Sequence, residues 1–338
     1  MSKPLKEVHE HLTQNSAHPN RCRGEIIVGI IIIILACIIL LKKCLSSRAD
    51  NKLNSDLSFL ENPIVGLNFN PNSTEVNPAG GWSYDISTGE IRNIENAPLL
   101  LEDWNFEQGI ILGISNGIVV ETNMENGTAY ELGPAQYNGS KLVSSTLKYR
   151  PQSQDYSALT ENGILVLWEQ DTRSFRKLIQ LNWQWASFAY SWLDDGHTLC
   201  IPDDRGIAIL NIDTLEEEHW LTIPITYSDG GALPPSYQKS FEVSGDQSVV
   251  VYCENEVMYV ANVNSEGVIV ETTILADHIG KCGFAISSDG QSIMYGVVRT
   301  KNTLFNPNYY EVWLYHSGEM LKIFESESVP NQGIEIYW

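Results

Sequence analysis

From Pro63 onward the chain alternates short apolar runs with clusters of Gly, Asn, Asp and Ser, and no stretch carries the period of an amphipathic helix. The block from Gly283 to Phe324 shows the pattern most fully. Phe284-Ala285-Ile286 reads as a strand, Ser288-Asp289-Gly290 as a tight turn, and Ser292 to Tyr295 as a second strand. After a longer connection come a third strand, Glu311 to Tyr315, a turn at Ser317-Gly318-Glu319, and a fourth strand, Met320 to Phe324. The block predicts one four-stranded antiparallel meander.

The upstream chain repeats it. Ser115-Asn116-Gly117 leads into Ile118-Val119-Val120, Glu161-Asn162-Gly163 into Ile164-Leu165-Val166, Asp204-Arg205-Gly206 into Ile207-Ala208-Ile209, and Glu254-Asn255-Glu256 into Val257-Met258-Tyr259. Asn-Gly suits a two-residue hairpin turn because both central positions take positive φ. A second turn, at Thr88, Asn126, Thr172, Thr214, Ser265 and Ser317, recurs every 38 to 52 residues. A third mark precedes the second strand at Asp195-Gly196, Gly245-Asp246 and Asp289-Gly290. Three marks at this period predict an all-β fold of four-stranded blades set radially. Six second turns give six blades, with seven left open. The first unit lacks an innermost strand, since Ile64 to Phe69 reads as strand two and Trp82 to Ile86 as strand three. The C-terminal Gly333 to Trp338 is expected to supply it and latch the ring.

On these marks the chain resembles the WD40-like propellers of the TolB type. Their repeat runs strand, Ser-Pro-Asp-Gly-like turn, strand, then a strand ending in an aspartate and a Thr-Gly-like turn. The match is best over Phe284 to Phe324 and spans residues 60–338; most turns lack the proline, and Gly245-Asp246 inverts the Asp-Gly order. The resemblance implies a propeller and does not name a function.

The N-terminal part differs in kind. Residues 1–24 form a polar tail with His9, His11 and His18, and Ile26 to Leu41 is an unbroken apolar run between Arg21, Arg23, Glu25 and Lys42-Lys43. A helix of that run spans ~24 Å against a hydrocarbon core of ~30 Å, a gap that snorkelling lysines can cover. It has no polar face, which predicts a transmembrane helix over 25–44 that contacts lipid through 26–41. Leu40-Leu41-Lys42-Lys43 offers no cleavage site for a signal peptide, and the apolar run continues past Cys37, against a lipoprotein signal. Residues 45–59 read as a polar linker. Orientation stays open. Arg21 and Arg23 before the run, against Lys42, Lys43, Arg48 and Lys52 after it, slightly favour a cytoplasmic C-terminal side. Asn72, Asn126 and Asn138 head glycosylation tripeptides and favour an extracytoplasmic propeller, the reading adopted. With a cytosolic propeller, Cys44 becomes a lipidation candidate.

Charge narrows the partners. The whole chain has Lys+Arg 21 against Asp+Glu 42, a net −21. Residues 1–52 are net +4, which leaves −25 on 53–338. Such a domain repels phosphate backbones, so nucleic acid is not an expected partner. Of the six cysteines, Cys200, Cys253 and Cys282 fall in or beside strands of separate repeats and read as core residues, with one disulfide among them left open.

Catalytic motifs are scarce. Gly113-Ile114-Ser115-Asn116-Gly117 spells a nucleophile elbow, but a strand follows where the elbow needs a helix. No α/β-hydrolase segment follows the propeller, unlike dipeptidyl-peptidase-like proteins. His197, His219, His278 and His316 share no spacing and read as loop or strand residues. Asp194, Asp195, Asp203 and Asp204 are weak calcium candidates, ordinary turn aspartates being the plainer reading. Trp183, Trp185 and Trp192 lie close together, either as packing between blades or as an aromatic binding platform. The insertion Arg299 to Asn308, with Arg299, Lys301 and Phe305, is the first candidate for a partner contact. No cofactor is expected. The reading is a non-enzymatic, membrane-tethered docking or scaffold module for a protein or glycan, free or within a larger membrane complex. The alternative is a propeller hydrolase or lyase acting on polysaccharide or peptide. A buried carboxylate pair with raised pKa near the axis would mark that enzyme.

Overall fold

The computed structural model describes residues 64–338 except 69–79, 99, 144–145, 182–189, 225–240, 255–256, 278–282, 301–307, 327–335 and 338. The tail 1–24, the run 26–41, Cys44, the linker 45–59 and Asn72 therefore lie outside the described residues. Among the described residues no helix is long and apolar enough to cross a membrane.

The described chain is all strand and turn, and six four-stranded antiparallel sheets form the blades. Blade 1 pairs β1 (Ile64–Leu67), β2 (Gly81–Asp85) and β3 (Ile91–Ile94) with the last strand of the chain, β26 (Ile336–Tyr337). Blade 2 is β4 (Leu100–Asn105), β5 (Ile110–Ser115), β6 (Ile118–Asn123) and β7 (Ala129–Pro134). A small hairpin follows, β8 (Gln136–Tyr137) and β9 (Ser140–Lys141), whose turn uses Asn138 and Gly139. Blade 3 is β10 (Lys148–Tyr149), β11 (Tyr156–Leu159), β12 (Ile164–Glu169) and β13 (Ser174–Gln180). Blade 4 is β14 (Ser191–Trp192), β15 (Thr198–Pro202), β16 (Gly206–Asn211) and β17 (Glu217–Thr222). Blade 5 is β18 (Phe241–Val243), β19 (Val249–Glu254), β20 (Val257–Val263) and β21 (Ile269–Ala276). Blade 6 is β22 (Phe284–Ile286), β23 (Ser292–Thr300), β24 (Asn308–His316) and β25 (Glu319–Ser326).

The apolar runs follow from what the blades do with their two faces. Successive side chains of a strand point to opposite faces, and here both faces pack on a neighbouring blade. On β15, Leu199 and Ile201 join the core shared with blade 3, whereas Cys200 joins the core shared with blade 5. On β19, Val250 and Tyr252 face blade 4, and Val249 and Val251 face blade 6. Middle strands therefore read as continuous runs such as Ile164-Leu165-Val166-Leu167-Trp168, because no face is left to water. Cys200 is buried and its thiol is pushed up by burial; Cys200 and Cys253 are both free, so no disulfide joins them.

The hairpin marks divide by local chemistry. Asn116 and Gly117 both take positive φ, 51° and 77°, as a two-residue turn requires. At Glu161-Asn162-Gly163 only Gly163 does, and Thr160 pairs with Ile164, so this turn has one residue more than expected. The elbow-like Gly113 to Gly117 is a plain β5–β6 hairpin. The insertion expected as a loop over Arg299 to Asn308 is partly strand. β23 and β24 extend until Arg299 pairs with Tyr309 and Thr300 with Asn308.

Closure takes the expected form. Gly66 pairs with Tyr337 and Leu67 with Ile336, so the chain end supplies the innermost strand of blade 1. Ile336 is 4% exposed. The Tyr337 hydroxyl donates to the Leu101 carbonyl of blade 2 at 3.2 Å, and its ring lies 5.9 Å from that of Trp104. Trp104 sits so close over Gly66 that a Cβ there would come within 2.5 Å of the indole. The pairing is short, so side-chain burial carries most of its stability. We expect Ile336→Ala to cost about 2–5 kcal/mol and to lower Tm by roughly 5–15 °C in thermal melts. Deleting 330–338 should cost more; an unchanged melt would remove the closure argument.

Candidate functional site

Three places gather polar side chains. The first is the seam between blades 2 and 3, where Glu102 and Asp103 stand side by side on the innermost strand β4. Consecutive strand residues normally face opposite ways, but here the register slips between Leu101 and Asp103, leaving Glu102 as a bulge. Both carboxylates then reach the same neighbour. Glu102, 5% exposed, accepts through Oε2 from the Thr146 and Leu147 amides at 3.1 and 3.4 Å. Asp103 Oδ2 accepts from the Tyr149 amide at 2.7 Å. The Tyr149 hydroxyl donates to Glu121 Oε1 at 3.0 Å. Burial lifts the Glu121 carboxyl above its usual range, and the Tyr149 hydrogen bond opposes part of the lift.

Behind this layer, the Tyr190 hydroxyl donates to the Thr146 carbonyl and lies 2.9 Å from Ser157 Oγ, which also takes the Trp192 indole N–H at 2.9 Å. Trp192 is thus packed inside, 9% exposed, in the core between blades 3 and 4, with its one donor engaged. Trp183 and Trp185 lie outside the described residues, as do Lys301 and Phe305; of Arg299 only the backbone is described.

The second place is the ring of turns joining strands one and two. Arg150 Nε donates to the Gly196 carbonyl (2.7 Å), Gln152 Nε2 to the Asp194 carbonyl (2.9 Å), the Asp194 amide to the Gly245 carbonyl (3.4 Å), and the Asp246 amide to the Ser288 carbonyl (3.3 Å). The Ser288 hydroxyl donates to Asp194 Oδ2, joining blades 4 and 6 across blade 5. Gly245 makes this possible, since a Cβ there would lie 2.0 Å from Asp194 Oδ1. The inverted Gly245-Asp246 order therefore has a packing cause. The turns joining strands three and four lie at the same end, tied by Met124 N to Gly109 O, Ile212 N to His197 O, and Val263 N to Ser248 O. Among the described residues Arg150 and Arg173 are the basic groups of these turns, and acidic residues far outnumber them.

Most of these carboxylates organise their own turns. Asp195 accepts from the amides of His197 and Thr198 and from the Thr198 hydroxyl, and Asp246 from the hydroxyls of Ser244 and Ser248 and the Ser248 amide. Burial raises both carboxyls, but these hydrogen bonds outweigh it and hold them below the usual aspartate value.

The four aspartates weighed for calcium do not come together. Asp194 and Asp195 precede β15 and Asp203 and Asp204 follow it, so a five-residue strand of roughly 16 Å separates the pairs. Among the described residues no three His, Cys, Asp or Glu side chains gather in a metal-binding group.

The third place is the far end of blade 4. Asp203 Oδ2 lies 2.5 Å from His219 Nδ1, and His219 Nε2 lies 3.0 Å from Thr222 Oγ1. Two local features build this array. Ala208 pairs with His219 and Ile207 with Leu221, so Trp220 is a bulge that brings His219 and Thr222 to one face. Gly206 pairs with Asp203 on one side and Thr222 on the other, with no side chain between carboxylate and imidazole. In the neutral tautomer with the proton on Nδ1, Nε2 is left to accept from the hydroxyl. The sequence names Asp203 and His219 separately; the bulge that unites them has no sequence mark. Glu102, Asp103 and Glu121 were not singled out, although two acids inside Leu99-Leu100-Leu101-Glu102-Asp103-Trp104 are a readable signal. Asn126 and Asn138 are exposed in turns, and Asn126 Oδ1 accepts from the Thr128 amide at 2.9 Å. His197 meets Asp213 at 2.7 Å, and His316 meets Ser292 at 2.7 Å.

No protein-family model matches the chain, and no curated protein matches it. Solved structures do. TolB from Acinetobacter baumannii superposes with a TM-score of 0.55 at 12% identity, covering 81% of this chain and 66% of that one. The chain thus spans just under two thirds of that protein's length. A TolB-type protein from Agrobacterium tumefaciens matches with a TM-score of 0.50 at 14% identity, over 81% of this chain and 96% of that one. A chain of a nidogen/laminin complex gives 0.53 at 9% identity, over 81% and 98%. At such identities the likeness establishes the fold, a TolB-like six-bladed propeller.

Two outcomes follow from this geometry. Gly245→Ala should displace Asp194 from Ser288 and cost about 1 kcal/mol, with no further cost in an Asp194→Ala background, read as a double-mutant cycle in denaturant. For Glu121 the folded carboxyl binds its proton more tightly than the unfolded one, so its stabilisation is present at low pH and lost as pH rises. Glu121→Gln keeps a partner for Tyr149, and as pH rises above the ordinary glutamate range it should lose less stability than the parent chain.

Proposed function

We propose that this chain is a docking module, a TolB-like propeller that presents its rim and turns to a protein partner. The observation that carries the reading is the use made of the seam carboxylates. Glu102, Asp103 and Glu121 take hydrogen bonds from the Thr146, Leu147 and Tyr149 amides and the Tyr149 hydroxyl. These groups spend their polarity on holding two blades together. The Tyr149 hydroxyl that donates to Glu121 comes from blade 3 and the carboxylate from blade 2, so this contact too joins neighbouring blades. The nidogen/laminin structure, an assembly between proteins, lends the reading a precedent of the same fold. We further propose that residues 26–41 anchor the propeller in a membrane, on the extracytoplasmic side, and that a glycan is the other candidate ligand of its loops.

A second reading, a hydrolase, draws on the Asp203–His219–Thr222 array, which has the residue types of an activated hydroxyl. Thr222 is exposed on the outer strand of the blade, while the His219 and Asp203 side chains are 19% and 10% exposed.

The experiment is capture of the full-length, C-terminally tagged chain from its own membranes after mild detergent extraction and cross-linking. The docking reading expects a protein recovered in fixed stoichiometry, equally with the parent chain and with His219→Ala. Recovery of the chain alone, together with hydrolysis of peptide or glycoside substrates that His219→Ala abolishes, would overturn it. Protease treatment of sealed cells tests the side of the membrane, digestion of the tag being expected.

A further inference from the structure

Among the described residues each blade ends in an outer strand whose far edge has no strand partner, and such edges invite pairing with foreign chains unless guarded. The six are guarded unequally. β3 has only four residues, with Arg92 exposed. β7 carries Glu131 and ends in Gly133-Pro134. β13 carries Arg176 and Lys177, and β17 opens with Glu217 and Glu218. β25 carries Lys322, held by Glu311 and Glu325. β21 differs. Over eight residues, Ile269-Val270-Glu271-Thr272-Thr273-Ile274-Leu275-Ala276, it holds a single charge, and three apolar side chains at or beside it stand in water: Val268 (52% exposed), Val270 (64%) and Ile274 (57%).

Its geometry suits an added strand. Bulges lie where Met258 and Tyr259 meet the strand and where Asn262 and Val263 do. Between them the register is regular, Glu271 to Asn262, Thr272 to Ala261, Thr273 to Val260 and Ile274 to Tyr259. Behind it Tyr259 stacks on Tyr252 at 5.1 Å, which stiffens the sheet. Charge decides the occupant. The strand follows exposed Glu266 and contains exposed Glu271, on a domain of net −25 from residue 53 onward. A second copy of this chain would bring the same charges against them, whereas a basic segment would neutralise them.

We propose that β21 is a docking edge, to which an extended partner segment of alternating β-branched and basic residues adds as a fifth strand of blade 5. This names the surface and partner chemistry for the docking function above and rests on that reading. Backbone pairing supplies the affinity, Val270 and Ile274 receive the apolar side chains, and the acids select the lysines or arginines.

The test uses the full-length chain in detergent and a synthetic peptide of alternating valine and lysine. Saturable binding is expected, and Val270→Lys with Ile274→Lys should weaken it by about tenfold or more while leaving Tm unchanged, since both side chains are exposed. Tyr130→Lys on β7, also highly exposed, should leave it unchanged. A valine–glutamate peptide, or one with proline replacing valine, should not bind. Equal binding of the glutamate peptide, or binding indifferent to the β21 pair, overturns the proposal. So does a concentration-dependent dimer that the pair abolishes, which would assign the edge to a second copy. If the pair loses the peptide yet the cross-linked cellular partner is still captured in full, the edge assignment fails and the docking function stands.

Discussion

The ring closes, among the described residues, through a pairing of two residues. Ile336 and Tyr337 complete blade 1 from the opposite end of the chain, and Tyr337 also reaches the Leu101 carbonyl of blade 2. Without that strand the inner edge of β1 is left unpaired and blade 1 loses the tie to blade 2 that Tyr337 makes. The contact is stable because it is mostly side chain. Trp104 lies between Phe106 and Tyr337, and Gly66 lets the indole rest on the backbone of β1. The cost of closing so long a loop rises only slowly with its length, which is why a short latch suffices.

Polar groups near the axis serve the same end. The bulge at Glu102 lets two adjacent carboxylates face one neighbour, where they take up amides of residues 146–149 that a two-residue strand such as β10 leaves without sheet partners. Buried acids in a cleft invite a catalytic interpretation, but their partners here are the backbone amides of the next blade. In the turn ring, Asp195 and Asp246 are acceptors within their own turns, and Asp194 alone among the four named aspartates reaches another blade through Ser288. Among the described residues each blade ends at the rim in a strand edge without a strand partner.

How much of this was legible follows from range. The meander over Phe284 to Phe324 is written in alternating local signals, and all four expected strands fall on β22 to β25, although β23 runs on to Thr300 and β24 starts at Asn308. The missing strand of blade 1 was legible too, because a count of strands is a sum over local signals. The bulges at Glu102, Trp220 and Val270 were not. A bulge is a mismatch in register between strands, and register depends on both partners and on what packs against them. Those three slips place the seam carboxylates, the Asp203–His219–Thr222 array and the limits of the β21 edge. The same holds for Trp192, whose ring reads equally as platform or packing until Ser157 and Tyr190 are seen around it.

By itself, then, the sequence determined the class of fold, a blade count of about six, the means of closure and the acidic character of the propeller. Each of these depends on residue type and short-range spacing, which pleat, turn chemistry and charge translate directly. Only the tertiary structure decided which polar groups meet. Asp203 and His219 are 16 residues apart in sequence and in contact across a glycine, while Asp195 and Asp203, closer in sequence, stand at opposite ends of β15. Contact between side chains is set by register and by the packing of blade on blade, and neither is encoded within any one strand.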